Sequence, residues 1–165
     1  MQETENLCGG ILVRIVVMSD SHGHVDRLAR IFEKHPEANW YVFLGDGQRD
    51  WEEVTARYPE RYTLAVAGNC DWSSDLPLMR EEKCGGKRVF FTHGHLYKVK
   101  YDLYTLTCAA RERGADVVLF GHTHQPLDCY DDGLTLVNPG SVRENGAYAL
   151  MDLGSHGVLT SLCRI

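Results

Sequence analysis

The amino-acid sequence predicts one α/β domain built from layered β-sheets. Two observations lead to this prediction. Apolar, strand-like segments alternate with amphipathic, helix-like segments over about the first two thirds of the chain, and the remainder is mostly strand-like. The 165 residues are enough for one domain with a substantial hydrophobic core, whereas two such domains would be cramped.

The strands of the alternating part are near-continuous apolar runs, which is typical of strands covered on both faces. They are predicted at 11–19, 38–47, 61–69, 87–95 and 115–124. Helices are predicted between them, at 24–35, about 49–57 and 101–114. The first helix has the clearest amphipathic spacing, with apolar side chains at Val25, Leu28 and Phe32. Gly114 suits the C-terminal end of the last helix.

The last part of the sequence predicts antiparallel strands. Asp131, Asp132 and Gly133 separate two short apolar stretches, which suits a β-hairpin. Two further strands are predicted at 146–153 and 157–165. At the other end, residues 1–10 are acidic and polar, unlike a secretory signal. We expect a flexible N-terminal extension there, before a domain that covers residues 11–165.

Composition and charge exclude several classes of function. The formal net charge is −6, so the chain lacks the basic surface needed to wrap nucleic acid, although a local positive site stays open. No apolar run is long enough for a membrane span. The six cysteines form no C-x-x-C pair, and with no signal peptide we expect free thiols in a reducing cytoplasm.

Polar clusters follow each of the five buried strands. Their sequences are SDSHGH (19–24), GDG (45–47), GNCD (68–71), THGH (92–95) and GHTH (121–124). Because ligands bind beyond the carboxyl ends of strands in open α/β sheets, these loops should converge on one site. Six of the eight histidines form three H-x-H pairs, at 22/24, 93/95 and 122/124. His35 and His156 are interpreted as surface residues. The pairs favour metal ligation, since imidazole is a common metal ligand at neutral pH.

The clusters supply seven candidate metal ligands. They are Asp20, His22, Asp46, Asn69, His93, His122 and His124. One four-coordinate ion needs fewer donors, so the set suits two ions about 3.5–4 Å apart that share a carboxylate. Nitrogen and oxygen donors without thiolate favour Mn, Fe, Zn, Co or Ni over Ca and Mg.

The charge of such a centre indicates the reaction. Two divalent ions bring four positive charges, and two carboxylates and a bridging hydroxide leave a net charge of about +1. A positive pocket on an acidic protein should attract an anion, and two metals that activate water suit metal-assisted phosphoester hydrolysis. If the backbone stays extended after the strand, His122 and His124 lie about 6–7 Å apart and bind different ions.

These residues resemble a known family. DSH (20–22), GD (45–46), GN (68–69), HGH (93–95) and GHTH (121–124) match, in order, the five motifs of the calcineurin-like metallophosphoesterases. GNCD, HGHLY and NPGS (138–141) are similar to its small bacterial and archaeal phosphodiesterase subfamily, which includes the retromer-subunit fold. The resemblance runs from about Ile11 to the C-terminus, and five blocks in register are very specific.

The resemblance implies a four-layer α/β/β/α sandwich of two mixed β-sheets flanked by helices. It implies a first metal held by Asp20, His22, Asp46 and His124. It implies a second metal held by Asp46, Asn69, His93 and His122, with Asp46 bridging. A metal-bridging hydroxide would attack phosphorus in line. Among the divalent transition metals, manganese is favoured, with Fe, Zn, Ni and Co as alternatives.

One position departs from the wider family. Many monoesterases of this type carry a histidine directly after the motif asparagine, where it protonates the leaving group, and here that position is Cys70. A thiol of ordinary pKa is a poor acid for an alkoxide, so phosphodiesters with better leaving groups become the expected substrates. His95, His24 and Asp71 lie near enough in sequence to assist catalysis. For Asp71, hydrogen bonding behind the ligands is the favoured alternative.

The sequence is compatible with two functional hypotheses. The first is a metal-dependent phosphodiesterase acting on a small phosphodiester or nucleotide-like substrate, with a cyclic nucleotide, a nucleic-acid end and a small diester all compatible. The second is a protein-interaction scaffold of the same fold, which would be expected to lose some of the histidines. None of them is missing. The strand-rich C-terminal third could supply an interface for a homo-oligomer, and neither a membrane nor an extended nucleic-acid surface is expected.

Overall fold

Two mixed β-sheets stacked face to face, with α-helices on their outer surfaces, make up the protein. The structure is a computed structural model that describes residues 4–5 and 11–165. The helices are α1 (Val25–Lys34), α2 (Gln48–Arg57) and α3 (Tyr104–Glu112), and a short 3-10 helix covers His95–Tyr97. The predicted four-layer α/β/β/α sandwich is confirmed, because α1 and α2 cover one sheet and α3 covers the other.

The first sheet has the strand order β11-β10-β2-β3-β4, and β1 pairs with β2 off this path. Its strands are β1 (Thr4–Glu5), β2 (Ile11–Met18), β3 (Trp40–Phe43), β4 (Thr63–Ala65), β10 (Ala147–Gly154) and β11 (Gly157–Arg164). Strands β2, β3 and β4 run parallel, and β10 and β11 are antiparallel to their neighbours. The carboxyl ends of the three parallel strands therefore meet at one edge of the sheet.

The second sheet has the order β5-β6-β7-β9-β8. Its strands are β5 (Met79–Cys84), β6 (Lys87–Thr92), β7 (Val117–Leu119), β8 (Leu127–Asp131) and β9 (Leu134–Asn138). Strands β6, β7 and β9 are parallel, and the predicted hairpin pairs β8 with β9. Here too, the carboxyl ends of the parallel strands lie at one edge.

The main hydrophobic core lies between the two sheets. Ile15 and Val42 of the first sheet belong to the same buried cluster as Phe91 and Leu119 of the second. Two further clusters join each sheet to its helices, with Phe32 of α1 against the first and Leu106 of α3 against the second. The inner faces of both sheets are thus fixed by burial, which aligns their edges and brings their loops together.

The sequence pattern missed β5. This strand carries the charged run Arg80–Lys83 and lies at the edge of its sheet, where only Cys84 is buried. The predicted strand at 115–124 was too long, because β7 ends at Leu119 and the following residues turn. Edge strands and strand ends lack the continuous apolar signal that burial on both faces gives.

Two other expectations concern the chain ends and His35. Of the predicted flexible extension, Thr4 and Glu5 pair with β2, and the remainder of 1–10 lies outside the described residues. The surface interpretation of His35 was wrong, since its Nε2 lies 2.8 Å from the Tyr148 hydroxyl and its side chain is 12% exposed.

Among the described residues, no helix has the length and apolar character to cross a membrane.

Candidate metal centre

The loops after the parallel strands of both sheets meet at one place and bring all seven predicted ligands together. A first group consists of Asp20, His22 and His124. The Asp20 Oδ1 atom lies 3.1 Å from His124 Nε2 and 3.6 Å from His22 Nε2. These side chains come from the loops after β2 and β7, so each sheet contributes to this group.

A second group consists of Asp46, His93 and His122. The His93 Nε2 atom lies 3.3 Å from Asp46 Oδ2, 3.2 Å from His122 Nδ1 and 3.0 Å from Asn69 Oδ1. Asn69 thereby joins the group through His93. The four side chains follow β3, β4, β6 and β7, so this group also spans the two sheets.

Asp46 links the two groups. Its Oδ2 atom lies 3.8 Å from His22 Nε2 of the first group, in addition to its contact with His93 of the second. Asp20 Oδ1 is 3.9 Å from His93 Nε2, so the groups are adjacent. This is the arrangement expected of a carboxylate shared by two cations.

The chemistry of the donors fits divalent cations. His22 Nε2 is buried and has no hydrogen-bond partner among the described residues, although it faces the carboxylates of Asp20 and Asp46. A buried, unpaired nitrogen is costly unless an acceptor or a cation completes its coordination. Two carboxylates buried side by side likewise require positive charge between them. Imidazole nitrogens and carboxylate and amide oxygens are ligands that transition metals accept.

Most of the ligands sit on strained backbone. Five of the seven have a positive φ angle: Asp20 (55°), His22 (42°), Asp46 (61°), His122 (67°) and His124 (61°). Asp and His tolerate this region better than most side chains, but each such residue costs about 1–3 kcal/mol. The assumption that His122 and His124 lie on extended backbone was therefore wrong. The left-handed turns, and not strand alternation, direct His122 to the second group and His124 to the first.

Hydrogen bonds behind the ligands fix the orientation of two imidazole rings. The Nδ1 atom of His93 lies 2.7 Å from the Leu44 carbonyl oxygen, and the Nδ1 atom of His124 lies 2.9 Å from Glu144 Oε1. In both rings the Nε2 atom is left to face the carboxylates. Such partners set the tautomer and raise the basicity of a ligating histidine. Glu144 lies in the loop before β10, and no sequence motif indicates its contact with His124.

Asp71 holds the ligand loops in place. Its carboxylate accepts four backbone N–H groups, from Asp46 (2.8 Å), Gly47 (3.0 Å), Gln48 (2.9 Å) and Gly68 (2.8 Å). The loops after β3 and β4 are thereby tied together. Asp71 therefore has the hydrogen-bonding role behind the ligands that the sequence favoured.

The backbone of Gly68 lies very close to Asp46. A Cβ atom on Gly68 would lie 2.1 Å from Asp46 Oδ1 and 2.5 Å from the Asp46 nitrogen. Only glycine fits there without displacing the shared carboxylate. The Cys70 N–H donates to Asp46 Oδ1 at 2.7 Å, so the loop after β4 binds one carboxylate oxygen and leaves Oδ2 toward the histidines.

Comparison with known proteins identifies the family. The family model of the calcineurin-like phosphoesterase superfamily domain matches residues 13–156. The chain belongs to this superfamily. The match covers both sheets from β2 to β10 and includes all seven candidate ligands, so the resemblance given by the five sequence motifs is confirmed.

Relatives and solved structures agree with this assignment. The chain is 33% identical to the probable metallophosphoesterase YsnB of Bacillus subtilis, over 86% of this chain and 85% of that protein. It is 30% identical to the phosphodiesterase YfcE of Escherichia coli K12, over 79% and 80% of the two chains. The fold is shared with a predicted phosphoesterase from Streptococcus pneumoniae TIGR4, at 23% identity and a TM-score of 0.78 over 93% and 90%.

The same fold also occurs in Vps29 of Chaetomium thermophilum, at 19% identity and a TM-score of 0.69, over 92% of this chain and 96% of that one. At this identity the likeness extends to the fold alone. The calcineurin-like architecture therefore accommodates both phosphoesterases and Vps29.

The histidines of the candidate metal centre have pKa values shifted in opposite directions. The hydrogen bond to Asp20 is the main reason that the pKa of His124 rises to about 9, with a second contribution from Glu144. Burial, together with the positive charge of His93, lowers the pKa of His122 to about 4. Burial opposes the charge on Asp46 and His93, but their mutual hydrogen bond lowers the pKa of Asp46 and raises the pKa of His93.

The expected catalytic histidines occupy different places. His95 begins the 3-10 helix, with its ring 6.1 Å from the His122 ring and its Nδ1 buried without a partner among the described residues. Burial lowers the pKa of His95. His24 is the N-cap residue of α1, and its side chain makes no capping hydrogen bond. The structure thus brings His95 to the border of the second ligand group.

The first prediction is that His122→Ala and His124→Ala each weaken a different metal site. The two side chains belong to different ligand groups, so each variant should keep one of two bound ions. Elemental analysis and calorimetric titration with Mn²⁺ of both variants would measure this. His156→Ala is the control, because His156 is exposed on the β10–β11 turn. Loss of the same ion in both variants would contradict the two-group arrangement.

The second prediction is that metal binding near pH 7.5 releases a proton from His124. In the metal-free site its pKa is about 9, so the imidazole is protonated at that pH and must become neutral to ligate. Proton release should decline as the pH rises through about 9. Calorimetry in buffers of different ionisation enthalpy counts the protons, and His124→Gln should remove this component. An unchanged count in that variant would assign the proton elsewhere.

Proposed function

We propose that this metallophosphoesterase hydrolyses phosphodiesters with the help of two divalent transition-metal ions, of which manganese is favoured. The observation that carries the proposal is the position of Asp46, whose carboxylate faces ligands of both groups. The phosphodiesterase YfcE, at 30% identity, supports the choice of substrate class.

The ligands would divide between the two ions as follows. One ion would be held by Asp20, His22, Asp46 and His124, and the other by Asp46, Asn69, His93 and His122. When bound, the ions would supply Lewis acidity, an activated water and positive charge for the phosphoryl oxygens. The protein's own contribution is orientation: Glu144 and Leu44 fix the imidazole rings, and Cys70 and Asp71 fix Asp46.

The leaving group is the reason to favour diesters over alkyl monoesters. Cys70 lies close to the ligands and is largely exposed, but partial burial of its thiol, together with the Asp46 charge, raises its pKa. A thiol with a raised pKa is a weaker acid than an imidazolium. Burial lowers the pKa of His95, so the neutral form of its ring is favoured, and this form cannot act as a general acid. Substrates whose leaving group needs little protonation should therefore react fastest.

A protein-interaction scaffold is the second candidate, because Vps29 has the same fold. The complete ligand set weighs against it, since a scaffold has no need to keep five residues on strained backbone. Tightly bound metal with no turnover of any phosphoester would favour the scaffold.

We also propose that the protein works in a reducing cytoplasm, in line with the free thiols of its five described cysteines.

The third prediction tests the shared carboxylate. Asp46→Asn removes the negative charge that faces both groups, so metal content should fall at both sites and kcat should drop by orders of magnitude. The experiment pairs elemental analysis with an assay of an aryl diester and an aryl monoester. Asp128→Asn, on the exposed face of β8, should behave as wild type. Near-normal turnover with two bound ions would remove Asp46 from its proposed role.

The fourth prediction concerns Cys70. Without a strong general acid, the wild-type rate should depend steeply on the pKa of the leaving group, and activated aryl diesters should react much faster than alkyl monoesters. General acid catalysis typically contributes about 10²–10⁴-fold, and Cys70→His should recover part of this factor on monoesters. Diester turnover should change less.

The measurement for Cys70 is kcat/KM for a matched diester and monoester, with saturating metal. Cys129→His is the matched control, since Cys129 is also exposed but lies on β8. A wild-type enzyme that already prefers unactivated alkyl monoesters would contradict the argument and point to His95 as the acid.

A further inference from the structure

We propose that the cavity beside the metal ligands binds a nucleobase-like aromatic group on the Trp72 indole, so that the substrates are nucleoside phosphodiesters. The inference rests on the proposed function, because it names the substrate of the same site. The cavity has a volume of about 570 Å³, and its lining includes His22 and Asp46 of the ligand groups together with Cys70 and Trp72. A phosphoryl group at the ligands and an aromatic group on Trp72 would thus share one continuous space.

The exposure of Trp72 is unusual for its residue type. Its side chain is 87% exposed, whereas Trp40 and Trp51 are 7% and 5% exposed and belong to the core. An exposed indole offers a large apolar face that gains free energy when a planar ligand covers it. Stacking of a base on an aromatic side chain is tolerant of base identity and typically strengthens binding by about ten-fold or more.

The backbone next to Trp72 is held in place before any ligand arrives. Trp72 directly follows Asp71, whose carboxylate accepts the N–H groups of Asp46, Gly47 and Gln48. The same contacts therefore fix Asp46, the proposed shared ligand, and the start of the segment between β4 and β5 that carries Trp72. Preorganisation of this kind reduces the ordering cost of binding and sets the spacing between the two subsites.

The charge of the cavity selects against a second phosphate. Among the described residues that line the cavity, the charged side chains apart from the metal ligands are the acidic Asp50, Glu52 and Asp71 and the basic Arg49. Asp50 already accepts hydrogen bonds from the Ser21 hydroxyl and the Gly23 N–H. An acidic wall repels further phosphates, so an ester with one phosphate and an uncharged base suits this cavity better than a nucleoside diphosphate.

The test is a calorimetric titration of the manganese-loaded protein with three ligands: adenosine 5′-phosphate, ribose 5-phosphate and inorganic phosphate. Separate titrations with phosphorylcholine and adenosine 5′-diphosphate probe the specificity of the site. Adenosine 5′-phosphate should bind about ten-fold more tightly than ribose 5-phosphate, and it should quench tryptophan fluorescence. Trp72→Ala should abolish both effects, and Trp72→Phe should retain part of the affinity difference. Tyr101→Ala is the matched control, since Tyr101 is also 87% exposed and is not part of the cavity lining.

The outcomes separate this inference from the proposed function. Equal affinity for the two sugar phosphates, with inorganic phosphate competing, would overturn the Trp72 subsite and support the phosphate site alone. Binding of none of the three ligands would overturn both. Tighter binding of phosphorylcholine than of adenosine 5′-phosphate would overturn the nucleobase assignment in favour of an ammonium group. Tighter binding of adenosine 5′-diphosphate would overturn the charge argument.

Discussion

The Asp71 carboxylate is the interaction on which the site most depends. Four backbone N–H groups from the loops after β3 and β4 converge on it, and among them is the N–H of Asp46. Hydrogen bonds to an ionised acceptor are stronger than neutral ones, so a single side chain can hold two loops in one geometry. This contact fixes the position of Asp46 and the start of the loop that carries Trp72, and Gly68 lies against Asp46 at the same place.

The fold places the two loops that Asp71 connects next to the other candidate ligands. Apolar burial between the sheets aligns the carboxyl edges of two sets of parallel strands, and the ligands are taken from both. Neither sheet alone carries either ligand group. Because the ligands lie on turns with positive φ, the packed core must offset the backbone strain that the site stores. Stability elsewhere in the domain is therefore a condition for the geometry of the centre.

The arrangement also explains why similar side chains differ in their electrostatics. His122 and His124 are two residues apart, yet the pKa of one falls to about 4 and that of the other rises to about 9. Burial next to His93 governs the first, and a hydrogen bond to Asp20 governs the second. Two chemically identical side chains thus differ in pKa because each imidazole belongs to a different group of candidate ligands.

The sequence by itself determined the layered α/β class, the position of the five loops and the identity of the seven candidate ligands, because strand periodicity and H-x-H spacing are local signals. It did not predict β5, whose charged edge strand lacks an apolar run, or the true end of β7 before His122. Only the tertiary structure decided the pairing of Glu144 with His124, the grouping of the ligands and the cavity at Trp72. These features join residues far apart in the chain, so their contacts leave no pattern in any one segment.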